Sequence, residues 1–268
     1  MPAPAKKPRL LTVSSIRRLT PSMQRIVLTG DELKDFPEVA PGAYVKLMFD
    51  FDNQPATVAP QSLNDVQLRT YTVRHFERAS LTLTLDMALH GHSSESGPAS
   101  HWAEHAQPGD QILVGGPGTT KGITEPDSYI VMAGDITALP AIASHLEALP
   151  DSASGQVVIS IPHVKDQQTL AKPAGIDIIW HAETDTVSTL SDTVGQISLP
   201  DSPVCAWAAC EFSDMRQLRK LFRQQWNLAH ESIYISSYWR QGRSEDQHKV
   251  DKRNDQQAWE EAQNINPE

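Results

Sequence analysis

Hydrophobic positions follow two different patterns along the chain. Up to about residue 124 they come in short runs, 23–29, 44–49, 69–75, 80–87 and 111–114, broken by Gly30-Asp31, Pro41-Gly42 and Pro108-Gly109-Asp110. Within these runs apolar and polar residues alternate, which puts every second side chain on one face of a strand, while Pro and Gly supply the backbone angles of turns. Strands in series predict an antiparallel barrel, interrupted by one helix over 98–106. Beyond residue 124 the order becomes strand, helix, strand. The runs at 128–132, 156–161, 176–180 and 204–209 are continuously apolar, as in parallel strands covered on both faces, and a last strand follows at 232–238. Helical spacing of apolar residues covers 139–149 and 213–228, with Ser213 and Asp214 placed to start the second helix. Residues 244–268 are polar, a solvated helix or a segment without fixed structure. The expected fold is a two-domain β plus α/β chain: a barrel over 1–124, a parallel-sheet domain over 125–243, and a polar tail.

A length of 268 residues suits two domains, each with its own core. The formal net charge of -10 argues against a nucleic-acid partner, because binding a phosphate backbone needs clustered Lys and Arg. An anionic ligand must therefore meet a local basic pocket. No run reaches the roughly 20 apolar residues of a membrane span, and the run after Leu10 is too short for a secretory signal, so the expected location is cytoplasmic. Cys205 and Cys210 would lie about 16 Å apart on one strand, beyond disulfide reach.

Two segments carry candidate chemistry. In Arg69-Thr70-Tyr71-Thr72, alternation puts Arg69 and Tyr71 on one strand face, where a guanidinium can pair a phosphate and a ring can pack on a flat heterocycle. Gly97-Pro98-Ala99-Ser100 opens a helix with Pro in its first turn, so the N–H groups of Ala99, Ser100 and His101 form an anion site without a lysine. An exposed arginine on a strand and an ordinary capped helix are the plain alternatives. His90 with His92, and His101 with His105, have spacings that could bind zinc, but no further ligands are placed beside them; no metal is expected.

Together with His90-Gly91, Gly116-Pro117-Gly118, Ala133-Gly134-Asp135-Ile136-Thr137-Ala138-Leu139-Pro140-Ala141 and Tyr238-Trp239-Arg240-Gln241-Gly242-Arg243, these segments resemble the siderophore-interacting proteins, a branch of the ferredoxin-NADP reductase superfamily. The resemblance covers nearly the whole chain apart from the tail. It implies a six-stranded antiparallel Greek-key barrel that binds FAD, followed by a doubly wound nucleotide-binding domain. It also implies roles for particular residues. Arg69, Thr70, Tyr71 and Thr72 would hold the flavin and its diphosphate, Val73 and His90 would line the same cleft, and Gly97, Ala99 and Ser100 would bind the pyrophosphate. Asp135, Thr137 and Ala138 are candidates for the nicotinamide approach, and Trp239 would lie near the flavin from the second domain. The implied activity is electron transfer from NADH, NADPH or a ferredoxin-type donor through FAD to a ferric siderophore, with no catalytic acid or nucleophile at the iron. A flavin or ferric reductase with another acceptor, and a carrier without turnover, are the alternatives.

Two features bear on ligands. Cys210 stands where the family commonly has Gly, a side chain that could crowd a dinucleotide or simply pack. Lys46, Lys121, Arg240 and Arg243 are expected to converge at the interdomain mouth as a basic cluster for an anionic chelate.

Overall fold

The computed structural model describes residues 7–89, 97–183 and 188–265. The first part of the chain forms β1 (Arg9–Thr20), β2 (Met23–Thr29), β3 (Tyr44–Phe49), β4 (Gln67–Thr72), β5 (His75–Glu77), β6 (Thr82–Ala88) and β7 (Gln111–Gly118). They make one antiparallel sheet in the order β4-β3-β7-β1-β2-β6-β5. Seven strands stand where six were expected, because the run at 69–75 is divided. Val73 N–H donates to the Ala43 carbonyl beside β3, and Arg74 N–H donates to the Thr84 carbonyl on β6. The chain changes partner between those two residues, so the two edges of the sheet are successive pieces of one segment. β1 carries no strict alternation, since its pairing with β2 shifts register between Val13 and Ser15 and again between Arg18 and Thr20. Each irregularity reverses the side-chain phase, which hides the strand from a period-two search. Leu11, Ile26, Leu28, Leu47, Leu83 and Trp102 are among the buried residues of this domain's core, the last from α1 (Pro98–His105).

The second part forms β8 (Tyr129–Gly134), β9 (Ser154–Ile161), β10 (Gly175–Ala182), β11 (Val204–Glu211) and β12 (Ile233–Trp239), all parallel, in the order β10-β9-β8-β11-β12. α2 (Leu139–Ala148) covers one face, packing on Trp207 and Ala209. α3 (Leu190–Gly195) and α4 (Phe212–Lys220), the latter running into a π-helical turn at Leu221–Gln225, cover the other face around Cys210. α4 is capped by the Glu211 carboxylate, which accepts from Ser213 N–H, so the helix starts ahead of the Ser213-Asp214 pair expected to begin it. Strand order reverses between β8 and β11, the place where open parallel sheets leave a crevice at their carboxyl ends. The polar residues after 244 form α5 (Glu245–Ile265). α5 is held by ion pairs: Asp255 meets Arg216 and Arg219, and the Arg219 guanidinium lies 4.3 Å from the Trp259 ring centre. Among the described residues no helix is long and apolar enough to cross a membrane.

The domains share buried contacts. Met23 and Ala88 of the antiparallel sheet belong to the core of the parallel domain. Asp166, fully buried after β9, accepts from Thr20 Oγ1, Ser22 N–H and Ser22 Oγ at 2.8, 2.8 and 3.0 Å. Gly42, at φ +74, donates its N–H to Ser144 Oγ on α2; a Cβ there would stand 2.7 Å from His145 Nε2.

His145 sits behind that contact, edge-on to Trp207 with ring centres 5.1 Å apart, and its Nε2 has no hydrogen-bond partner among the described residues. Burial disfavours the imidazolium and lowers its pKa to about 4. A histidine depressed in the folded state adds stability that is complete above the unfolded pKa of about 6.5 and declines as pH falls towards the folded value. The loss should reach about 3 kcal/mol. Denaturant unfolding of the wild type and His145→Phe at pH 7 and pH 4.5 checks this; equal losses in the two proteins would clear His145 of the effect.

Candidate functional site

The crevice at the carboxyl ends of β8, β11 and β12 is organised by Asp135. Its buried carboxylate accepts from Thr137 N–H and Thr137 Oγ1 at 2.9 and 2.5 Å, from Glu211 N–H at 2.8 Å, and from the Trp239 indole N–H at 2.7 Å. Each partner can donate, which is what an ionised carboxylate requires, and together they occupy its lone pairs. Burial raises the Asp135 pKa, and the bonds from Thr137, Trp239 and Glu211 pull it back. Asp135 is thus tied to the chain's own donors rather than exposed to a ligand. It fixes the turn after β8 and the positions of β11 and Trp239. Ala138 is fully buried and donates its N–H to the Asp135 carbonyl. Cys210 packs into the core on the α3 and α4 side, and burial raises its thiol pKa well above the ordinary value, so it is an inert packing residue.

In the antiparallel sheet, β4 is an edge strand paired with β3. Arg69 and Tyr71 share a face as the alternation predicts. The Tyr71 ring packs on the core of the first domain, and burial raises the pKa of its phenol. Arg69 bonds to the Leu68 carbonyl and Gln67 Oε1, both at 2.9 Å, and among the described residues it has no carboxylate partner. Arg9, Arg25, Arg74 and Arg78 of the same domain each have one. Thr72 and Val73 are buried. His90 lies outside the described residues.

At the start of α1, the N–H groups of Ser100 and His101 donate to the Gly97 carbonyl at 3.1 and 3.2 Å. Of the three donors expected at this anion site, Ala99 alone keeps an N–H without an acceptor among the described residues, because the first turn is wound tightly onto Gly97. Ala99 and Ser100 are themselves buried. An unpaired guanidinium, a half-buried tyrosine ring and a helix start fit a ligand with a flat aromatic system and phosphates.

The basic cluster is only partly assembled. Arg240 and Arg243 follow β12 and both meet Asp251 Oδ2, at 2.7 and 3.3 Å. Lys46 donates to Thr70 Oγ1 at 2.9 Å and lies 3.7 Å from Glu245. Lys121 does not join them. Its Nζ donates to the Glu231 carbonyl just before β12, and Arg240 lies past the other end of that strand, which is about 20 Å long. Thr70 turns away from the face of Arg69 and Tyr71 and takes Glu245 on both its N–H and its hydroxyl, at 3.1 and 2.9 Å.

Other residues of the interface were not singled out from the sequence. A cavity of about 220 Å³ between the domains is lined by Arg17, Arg25, Arg74, Asp86 and Leu139 of α2. Arg25 is bidentate on Asp86 with both contacts at 2.7 Å, and Arg74 reaches across to Glu147 on α2. Arg74 comes two residues after Thr72, so its position in sequence was a usable signal; Asp86 and Glu147 had none. The rings of His101 and His105 stack at 4.4 Å, with His105 Nδ1 on the His101 carbonyl, and no metal-ligand group of three or more His, Cys, Asp or Glu occurs among the described residues.

Comparison with known proteins covers both domains. Residues 12–121 match the siderophore-interacting FAD-binding domain and residues 127–242 match the siderophore-interacting protein family. The chain is 30% identical over 251 residues to ferric vibriobactin reductase ViuB of Vibrio cholerae, covering 89% of this chain and 92% of that protein. Among solved structures it is similar to the siderophore-interacting protein SipS from Aeromonas hydrophila, with a TM-score of 0.82, 32% identity and coverage of 94% of this chain and 98% of that one. A siderophore utilization protein from T. fusca gives a TM-score of 0.76 at 30% identity, covering 89% and 94% of the two chains.

Proposed function

The chain belongs to the siderophore-interacting protein family, with that family's FAD-binding domain as its first part, and from this premise we propose that it reduces ferric siderophores with electrons taken from NADH or NADPH. The observation that carries the reading is Arg69: a guanidinium without an acid partner among the described residues, on the same strand face as Tyr71. When bound, FAD would supply the conversion of a two-electron donor's hydride into single electrons for Fe(III).

The chain's residues bind and orient. Arg69 would pair the diphosphate, the Tyr71 ring would pack on the isoalloxazine with Thr72 and Val73 beside it, and Gly97, Ala99 and Ser100 would hold the pyrophosphate with the Ala99 N–H as principal backbone donor. We read the antiparallel sheet as the closed Greek-key barrel that supports this site. In the crevice, Thr137 would meet the nicotinamide donor, Asp135 would position Thr137 and Trp239 without touching the ligand, and Trp239 would shield the flavin. Lys46, Arg240 and Arg243 would face the acceptor. Reduction labilises iron, since Fe(II) binds hard oxygen donors less strongly than Fe(III). A ferredoxin-type donor is the other possible electron source, and the proposed location is the cytoplasm.

The purified protein should be yellow, bleach anaerobically with NADH or NADPH, and release Fe(II) to a ferrous chelator when given a ferric siderophore. A colourless protein that binds ferric chelate without reducing it would be a carrier. A yellow protein that bleaches with neither nucleotide but with reduced ferredoxin would place the electron source elsewhere.

A further inference from the structure

The helix α5 brings acids to the same cations. Asp251 Oδ2 is shared by Arg240 and Arg243, and Glu245 lies 3.7 Å from Lys46 and 3.3 Å from Lys249. Both acids are shielded, with side chains 17% exposed, so solvent and salt screen them less than a surface pair. Glu245 is also fixed by its two bonds to Thr70, inside the segment proposed to hold the flavin. Four cations at this mouth, Lys46, Arg240, Arg243 and Lys249, thus share two carboxylates that come from the far end of the sequence.

We infer that Glu245 and Asp251 tune the acceptor site by charge, weakening its hold on trianionic ferric chelates while leaving its hold on uncharged ones nearly unchanged. This rests on the acceptor reading above. Around Fe(III), three hydroxamate anions leave a neutral complex, whereas three catecholate dianions leave a trianion. A fixed carboxylate beside the binding cations repels the trianion in proportion to its charge and leaves the neutral complex nearly unaffected. Binding the trianion would also require Lys46, Arg240 and Arg243 to exchange their present partners, a second cost that the neutral complex avoids. Discrimination of this kind comes from repulsion built against the wrong ligand.

The test uses the full-length, flavin-loaded protein and two probes, a ferric tris-hydroxamate and a ferric tris-catecholate, with Kd measured by isothermal titration at low and high salt. Glu245→Gln with Asp251→Asn keeps the side-chain shapes and removes two charges; it should tighten trianion binding ten-fold or more, change neutral binding less than two-fold, and show a smaller gain at high salt. Asp255→Asn, which loosens α5 at its contact with Arg216 and Arg219, should leave the preference unchanged. The inference is overturned if the double variant shifts both chelates equally, if it leaves trianion binding unchanged, or if Asp255→Asn reproduces its effect. A wild type that binds neither chelate overturns both the inference and the acceptor reading. The expected shift in the double variant together with a wild type that releases no Fe(II) overturns the reductase reading alone.

Discussion

Arg69→Ala should release FAD on purification and weaken its rebinding by about 10- to 100-fold, the worth of one or two charge-assisted bonds to phosphate. The expectation follows from what Arg69 lacks: its bonds are to Leu68 and Gln67, with no carboxylate among the described residues to neutralise it. Removing it leaves no acid unpaired among the described residues, so the fold should persist and the loss should fall on the ligand. The ratio of flavin to protein absorbance and a fluorescence titration with FAD measure the effect. Unchanged flavin content and affinity would remove Arg69 from the proposed site. Arg69→Lys should recover part of the binding, since the charge returns without the two-pronged geometry.

Asp135→Ala should have the larger effect on stability. The substitution removes the acceptor of the Trp239 indole N–H, the Glu211 N–H and the Thr137 donors at a part-buried site. Each buried donor left without a partner costs roughly 1–3 kcal/mol, so a total of about 3 kcal/mol or more is expected, with a Tm lower by roughly 6–10 °C. Asp135→Asn should also destabilise, because its amide must point N–H toward N–H. As a positioning residue, Asp135 should affect electron entry through kcat with nicotinamide donor while leaving FAD affinity nearly intact, and the emission of Trp239 should change as its indole N–H loses its acceptor. A variant with wild-type stability and unchanged turnover would show that the knot at the strand ends is dispensable.

Local chemistry made much of the fold legible. The continuous apolar runs of the second half became β8 to β11, because a strand covered on both faces needs no alternation and few other segments can be so apolar. β2 and β3 followed from clean period-two alternation between Gly and Pro turns. β1 did not, since two register shifts scrambled its phase. α3 was missed because its six residues, held by the Thr189 and Asp192 capping box, are too few to establish a helical period.

The candidate site divides in the same way. Pairing Arg69 with Tyr71 on one face needed nothing beyond the geometry of a strand, and the helix start at Gly97-Pro98 needed only the stereochemistry of proline. The sequence by itself therefore determined the two domain types, the strand face that Arg69 and Tyr71 share, and the turn at which the parallel sheet opens. Tertiary structure alone decided which charges are free. Thr70 and Glu245 are 175 residues apart, and Asp135 and Trp239 are 104 apart. No local preference records such a meeting, because the energy of an ion pair or a buried hydrogen bond depends on the distance and burial that the completed fold imposes.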